Sequence, residues 1–248
     1  MDYPVFKEEM KSSYTILIPD MLPIHFKLII NILKKYGYHV ELLQTSTRAV
    51  VDEGLKNVHN DTCYPALLVI GQFINALKSG KYDVNRTALM LTQTGGGCRA
   101  SNYIHLLRKA LKKEFPQVPV ISLNLSGLEK GSGLSLTLPL LIKVVYAVFY
   151  GDLLMSLYNQ CKPYEIHSGE SESVREKWQE KLTTIFDKRE FIKCKKYCRM
   201  ILEDFDKIER TKEKKIRVGI VGEIYVKYSP LANNHLEEFL LSEGCEPI

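Results

Sequence analysis

Apolar residues recur along the first half of the chain in two alternating rhythms. Short runs of β-branched and leucine side chains, Tyr14-Thr-Ile-Leu-Ile-Pro19 and His39-Val-Glu-Leu-Leu43, bracket an amphipathic stretch from Pro23 to Tyr36 that Gly37 stops. Proline near the start and glycine just past the end mark a helix, and a strand–helix–strand order requires parallel pairing. The rhythm continues with a helix from Ala66 to Leu77 closed by Ser79-Gly80, a buried strand from Thr87 to Thr92, a helix from Ser101 to Phe115 and a strand from Val118 to Leu123. This alternation predicts an α/β fold, a Rossmann-like parallel sheet with flanking helices. The charged arm up to Ser13 is peripheral to it.

Beyond Gly133 the pattern changes. Leu134 to Tyr158 is dense in apolar residues, but Pro139, Lys143, Gly151 and Asp152 interrupt it. It therefore reads as a buried helix that covers the sheet or bridges to the next unit, and not as a membrane span. From Ser168 to Lys215, charges of both signs alternate around a sparse apolar stripe that includes Trp178, Leu182, Phe186 and Phe205, the signature of solvated helices with one buried face. Lys215 to Val221 then predicts a strand, and Asn233 to Ser242 a helix capped by Asn233 or Asn234 and stopped by Gly244. Cys245-Glu-Pro-Ile248 marks the start of a further strand. The expected division is a Rossmann-like domain over 1–133, a helical connector over 134–215 and the start of a second α/β unit over 216–248. That last unit reads as truncated, because an α/β unit without its second strand has an open edge.

Composition narrows the function classes. The chain has 248 residues, 45% hydrophobic and 25% charged, which allows one large or two small domains with a proper core and excludes disordered, collagen-like and disulfide-miniprotein classes. A net charge of +5 spread through the second half does not call for nucleic acid or acidic lipid. Six cysteines without a secretory leader point to a reducing, cytoplasmic compartment.

Two of those cysteines stand apart. Cys63 lies in His59-Asn-Asp-Thr-Cys-Tyr-Pro65, a polar loop ahead of a helix, where backbone amides and the helix dipole favour an anion. Cys98 lies in Thr92-Gln-Thr-Gly-Gly-Gly-Cys-Arg-Ala-Ser-Asn102, between a buried strand and a helix. Both loops are expected on the edge where open α/β sheets hold ligands, so the two thiols are placed to meet at one metal centre. The glycine loop is neither a Walker A loop nor a dinucleotide fingerprint, since no Gly-Lys-Ser/Thr follows and the glycine spacing differs. It leaves two readings, a phosphate-binding turn made by Gly95, Gly96 and Gly97 with Arg99, and a loop covering a metal cluster. The second also accounts for the cysteine. Without the C-x2-C pairs that announce zinc, iron and sulfur fit better. Cys194 and Cys198 read as half-buried helix residues, and Cys161 and Cys245 carry no pattern. His59 and His105 flank the two cysteine regions, no Ser/His/Asp arrangement is legible, and Glu223 reads either as a site residue or as a cap on backbone amides.

Four separated motifs then bring a family into view. His59-Asn-Asp-Thr-Cys-Tyr-Pro-Ala66, Thr92-Gln-Thr-Gly-Gly-Gly-Cys-Arg-Ala-Ser-Asn-Tyr103, Tyr150-Gly-Asp-Leu-Leu154 with Pro163-Tyr-Glu165, and Val218-Gly-Ile-Val-Gly-Glu-Ile-Tyr-Val226 resemble the proteins related to activators of 2-hydroxyacyl-CoA dehydratases. The likeness is to the dehydratase-like, cysteine-bearing region of that family. It implies an oxygen-sensitive [4Fe-4S] cluster held by three cysteines, with Cys63 and Cys98 on the first two ligand positions and the third beyond residue 248. It further implies a role in ATP-dependent, low-potential electron transfer and a partner ATPase of the actin-like fold, in trans or fused. An acyl-CoA substrate follows from the same likeness, and the lack of a nucleotide-binding motif leads to the expectation of no ATPase activity in this chain. The competing expectations are a non-redox module binding CoA or a phosphorylated ligand at Gly95–Gly97, and an interaction protein that docks the ATPase through Ser168 to Lys215.

Overall fold

The computed structural model describes residues 3–59, 61–93, 102–124, 134 and 137–248. In chain order its elements are β1 (Thr15–Pro19), α1 (Pro23–Lys35), β2 (His39–Leu43), α2 (Arg48–Asn57), α3 (Tyr64–Lys78), β3 (Thr87–Gln93), α4 (Tyr103–Leu111) and β4 (Val120–Asn124). There follow α5 (Leu138–Cys161), α6 (Glu170–Asp187), α7 (Cys194–Asp206), β5 (Arg217–Val218), α8 (Ile224–Tyr228), α9 (Pro230–Asn233), α10 (Leu236–Ser242) and β6 (Glu246–Pro247). Contacts divide the chain into two compact units, Met1–Asp20 with Tyr36–Ser135, and Met21–Lys35 with Leu136–Ile248. These boundaries differ from the three-part division that the sequence suggests. Residues 136–248 form one unit, and α1 joins them there through its packing on α5 and α6.

The first unit is the expected α/β layer. Its sheet has the order β2-β1-β3-β4 and every pair is parallel, with Thr15 opposite His39 on one side and Thr87 on the other. Ile16 and Leu17 on adjacent positions of β1 are both fully buried, as a central strand covered on both faces demands. The chain moves outward from β1 to β2, then back past β1 to β3 and β4. The order therefore reverses between β1 and β3. Helix α3 is apolar around nearly its whole circumference and correspondingly buried. The polar helix α2, which the sequence reading does not foresee, packs against it. Their crossing depends on Gly54 and Gly71: a Cβ at Gly71 would collide with the Val50 carbonyl and stand 2.7 Å from the Gly54 nitrogen.

The second unit is mainly helical, and α5 is its centre. It packs on α1, α6 and α7, and its Leu140, Ala147, Tyr150, Gly151, Leu154 and Tyr158 are buried. Pro139 sits in the first turn, where it does not break a helix, and Gly151 and Asp152 face the buried His25 of α1. A Cβ at Gly151 would lie 2.7 Å from His25 Cγ, so the bare backbone is what admits the imidazole. His25 Nε2 lies 2.9 Å from Asp152 Oδ1. Gln179 and Thr183 of α6 tie down the other side of α1, through the Ile24 carbonyl at 3.3 Å and Asn31 at 3.2 Å. The single tryptophan, Trp178, is fully buried and donates to Asp204 Oδ2 at 3.1 Å. The stretch Leu138–Tyr164 has the length and apolarity of a membrane span, with 28% of its most apolar window buried.

The C-terminal segment does form strand, helices and strand, with β5 and β6 paired in parallel. The strand expected over Lys215 to Val221 is only two residues long, and Ile216 and Val221 on either side of it are exposed, because β6 is the one strand paired with it among the described residues. The last helix begins at Leu236 rather than Asn233, and Asn233 Oδ1 accepts from the Leu236 N–H at 3.2 Å.

Candidate functional site at the carboxyl edge of the sheet

In a parallel sheet whose crossovers are helical, strand C-termini and helix N-termini fall on one edge, and ligands bind where the strand order reverses. Here that edge gathers the ends of β1, β2 and β3 with the starts of α3 and α4.

At the end of β1 stands Asp20, only 6% exposed. Its N–H donates to the Leu43 carbonyl at 3.2 Å, extending the β1–β2 ladder by one residue, and Gln44 Nε2 approaches its Oδ2 at 3.4 Å. Burial pushes the Asp20 carboxyl up to about 6, and the Gln44 contact only partly opposes this. The buried Gln72 of α3 donates to the same Leu43 carbonyl at 3.0 Å and to the Thr45 carbonyl at 2.9 Å. Two carbonyl acceptors fix the orientation of its amide. Its Oε1 is left buried with no hydrogen-bond partner among the described residues. The sequence reading misses both residues, because their burial arises from strand pairing and helix packing and not from any local pattern.

Cys63 occupies the N-cap of α3, nine residues and about 13 Å of helix axis from Gln72. Its carbonyl accepts from Ala66 and Leu67, at 2.9 and 3.3 Å, and so starts the helix. The side chain is not used as a cap, and the thiol is free and half-exposed. His59 is an exposed loop residue whose Nδ1 accepts from the Asp61 N–H at 3.3 Å.

Between the Cys63 loop and α4 lies a cleft of about 370 Å³. Asp61 and Thr62 form one wall, and Asn102, Tyr103, His105, Leu106 and Lys109 form the other. The volume falls within the range of small-molecule sites. The wall formed by α4 carries the positive end of a helix dipole together with a lysine. The structure thus brings together the flanks of both cysteine loops. Gly95, Gly96, Gly97, Cys98 and Arg99 themselves lie outside the described residues, and among the described residues no group of three or more His, Cys, Asp or Glu side chains converges as a metal site.

The remaining motifs do structural work in the second unit. Glu165 of Pro163-Tyr-Glu165 accepts from the N–H groups of Gly169 and Ser171, at 2.8 and 2.9 Å, and meets Lys162 at 2.7 Å. Burial works against its ionisation, but the lysine and the two backbone donors outweigh it and hold the carboxyl at about 2. Tyr164 donates to Glu246 of β6 at 2.8 Å. Glu223 caps α8, accepting from Tyr225 and Val226 at 2.9 and 3.1 Å, which is the structural of the two readings its sequence allows. Cys161 is buried beside Arg210, and burial pushes its thiol up.

Chemically, the edge offers a free thiol at a helix start, an open cleft beside it and a buried, titratable carboxyl at the strand reversal. No protein-family model matches the chain, and neither does any curated protein or solved structure.

Proposed function

We propose that the chain is an iron–sulfur protein of an ATP-dependent 2-hydroxyacyl-CoA dehydratase or activase-type system, in which Cys63 and Cys98 are ligands of a [4Fe-4S] cluster. The observation that carries this reading is the position of Cys63. Its sulfur is free and half-exposed at the start of α3, on the edge from which β3 runs into the Cys98 loop. A structural cysteine would be buried or engaged as a cap. The site fits a cluster ligand in that respect, and the helix start favours the negative charge of a thiolate-bound group. When bound, the cluster supplies one-electron transfer at low potential. The chain's own residues hold it at Cys63, offer the cleft between Thr62 and Tyr103 to a substrate, and place Asp20 as a proton-holding group on the same edge. ATP hydrolysis belongs to a partner of the actin-like fold, and the setting is the cytoplasm of an anaerobe.

Anaerobic reconstitution of the full chain tests the reading. About four irons with matching sulfide per chain, lost in Cys63→Ala and in Cys98→Ala, is the expected result; no iron in the intact protein overturns it. His105 and Lys109 on the cleft wall favour a second reading, a non-redox module for CoA or another phosphorylated ligand, with Gly95–Gly97 as its turn. That reading calls for no iron, but for binding of CoA that weakens in Lys109→Ala.

A further inference from the structure

Cys194 and Cys198 lie in the second unit, away from any role assigned above. Helix α7 buries Tyr197, Ile201 and Phe205, one residue per turn. Cys194 and Cys198 form the neighbouring row. Both are half-exposed free thiols, and residues four apart on a helix have Cβ atoms about 5–6 Å from each other on one face. We propose that this pair is a two-sulfur seat for one soft, two-coordinate cation of the copper(I) class.

Geometry excludes the obvious alternative use of the pair. A disulfide needs Cβ atoms about 3.5–4.5 Å apart, which a regular helix does not provide at this spacing. Two metal–sulfur bonds of about 2.3 Å each span the gap without unwinding it. Ligand number sets the kind of ion. Among the described residues no third His, Cys, Asp or Glu completes a cluster here, so ions that require four protein donors are poorly served. Thiolate softness favours copper(I) over hard cations.

The surroundings suit the charge. Binding releases two thiol protons to solvent and moves no electrons, leaving a bis-thiolate complex of charge −1. Lys193, Lys195, Lys196 and Arg199 stand within a turn of the pair, and Lys193 also meets Glu190 at 2.8 Å. The Cys194 sulfur is already positioned, 3.6 Å from both Tyr150 Oη and the Phe191 carbonyl, while Tyr150 donates to that carbonyl at 2.9 Å. The seat is independent of the Cys63 reading, since it lies in the other unit and uses neither of the cysteines in the first.

The test uses the reduced, full-length chain carrying Cys63→Ser and Cys98→Ser, titrated anaerobically with copper(I) against a chromophoric chelator. One copper per chain is expected, with two sulfur neighbours by X-ray absorption. Cys194→Ser and Cys198→Ser are each expected to weaken binding by about tenfold or more, while Trp178 emission stays native. Retention of full affinity in either variant overturns the proposal, as does a sulfur count other than two. Loss of the native emission in one serine variant shifts the decision to the other and to the sulfur count, which needs no substitution in α7.

Discussion

Asp20 in the sheet unit and Glu165 in the helical unit are both withdrawn from water, yet their surroundings treat them in opposite ways. Burial dominates at Asp20 and raises its carboxyl to about 6, whereas at Glu165 the Lys162 ammonium and two backbone N–H groups overcome burial and hold it at about 2. A buried carboxylate with a full set of donors fixes structure. One whose ionisation the fold opposes costs stability at neutral pH, and such groups collect where chemistry is done. The same contrast runs through the motifs. Those of the second unit seat a helix, cap a helix or join a strand, while in the first unit the Cys63 sulfur is not used as a cap.

The largest test of this contrast is Glu165→Ala. It uncaps α6 and takes one of two carboxylates from Lys162, which keeps Glu172 at 2.9 Å, so three hydrogen bonds to a charged group are lost at about 1.5–3 kcal/mol each. Urea unfolding followed by Trp178 fluorescence reads this directly, because the only tryptophan lies in the same unit. The pH dependence has a definite sign. A carboxyl lowered from 4.5 to about 2 contributes stability that is present above 4.5 and lost as pH falls toward 2, so the wild-type loss over that window should flatten in the variant.

Asp20→Asn should act in the other direction. A carboxyl raised from 3.8 to about 6 favours the folded state below 3.8, and that advantage is lost as pH rises through 6. Removing the charge should therefore stabilise the protein by up to about 3 kcal/mol at pH 7.5 and by little at pH 4, measured by denaturation followed by far-UV circular dichroism. Destabilisation at both pH values would make Asp20 a structural residue like Glu165 and break the comparison.

A smaller effect separates the two glycine contacts. Gly151→Ala meets the His25 ring, and overpacking of this kind costs about 1–3 kcal/mol. In a His25→Ala background most of that cost should vanish, since the atoms in the way belong to a side chain. Gly71→Ala meets the backbone of α2, so truncating the nearby Val50 side chain should not rescue it. Thermal melts of the two double-variant sets decide the matter, and a rescue at Gly71 equal to that at Gly151 would refute the distinction.

How much of this was legible in the sequence follows from where each signal resides. The helix α1 and the strands β1, β2 and β3 carry their own periodicity and punctuation, and the observed bounds differ from the expected ones by at most a residue or so. Helix α2 is too polar to announce itself, because it buries little beyond Val50 and the Gly54 backbone. The apolar run after Gly133 was readable as a helix, but its partners were not. Apolar faces do not declare which elements will cover them, and that Gly151 admits the His25 ring of α1 is written in no local pattern. Asp20 and Gln72 became visible only through burial and shared hydrogen bonds to Leu43, both consequences of residues distant in sequence.

Cys63→Ser provides the smallest structural effect and completes the comparison. The sulfur is half-exposed, free and uninvolved in capping, so the substitution should change stability by no more than about 0.5 kcal/mol. If the sheet unit keeps this thiol for a ligand, the same variant should lose iron uptake on anaerobic reconstitution while its denaturation midpoint stays put. That separation of binding from stability is the opposite of the outcome expected at Glu165. A large drop in stability with iron uptake retained would show that Cys63 holds the start of α3 in place and would return the carboxyl edge to a structural account.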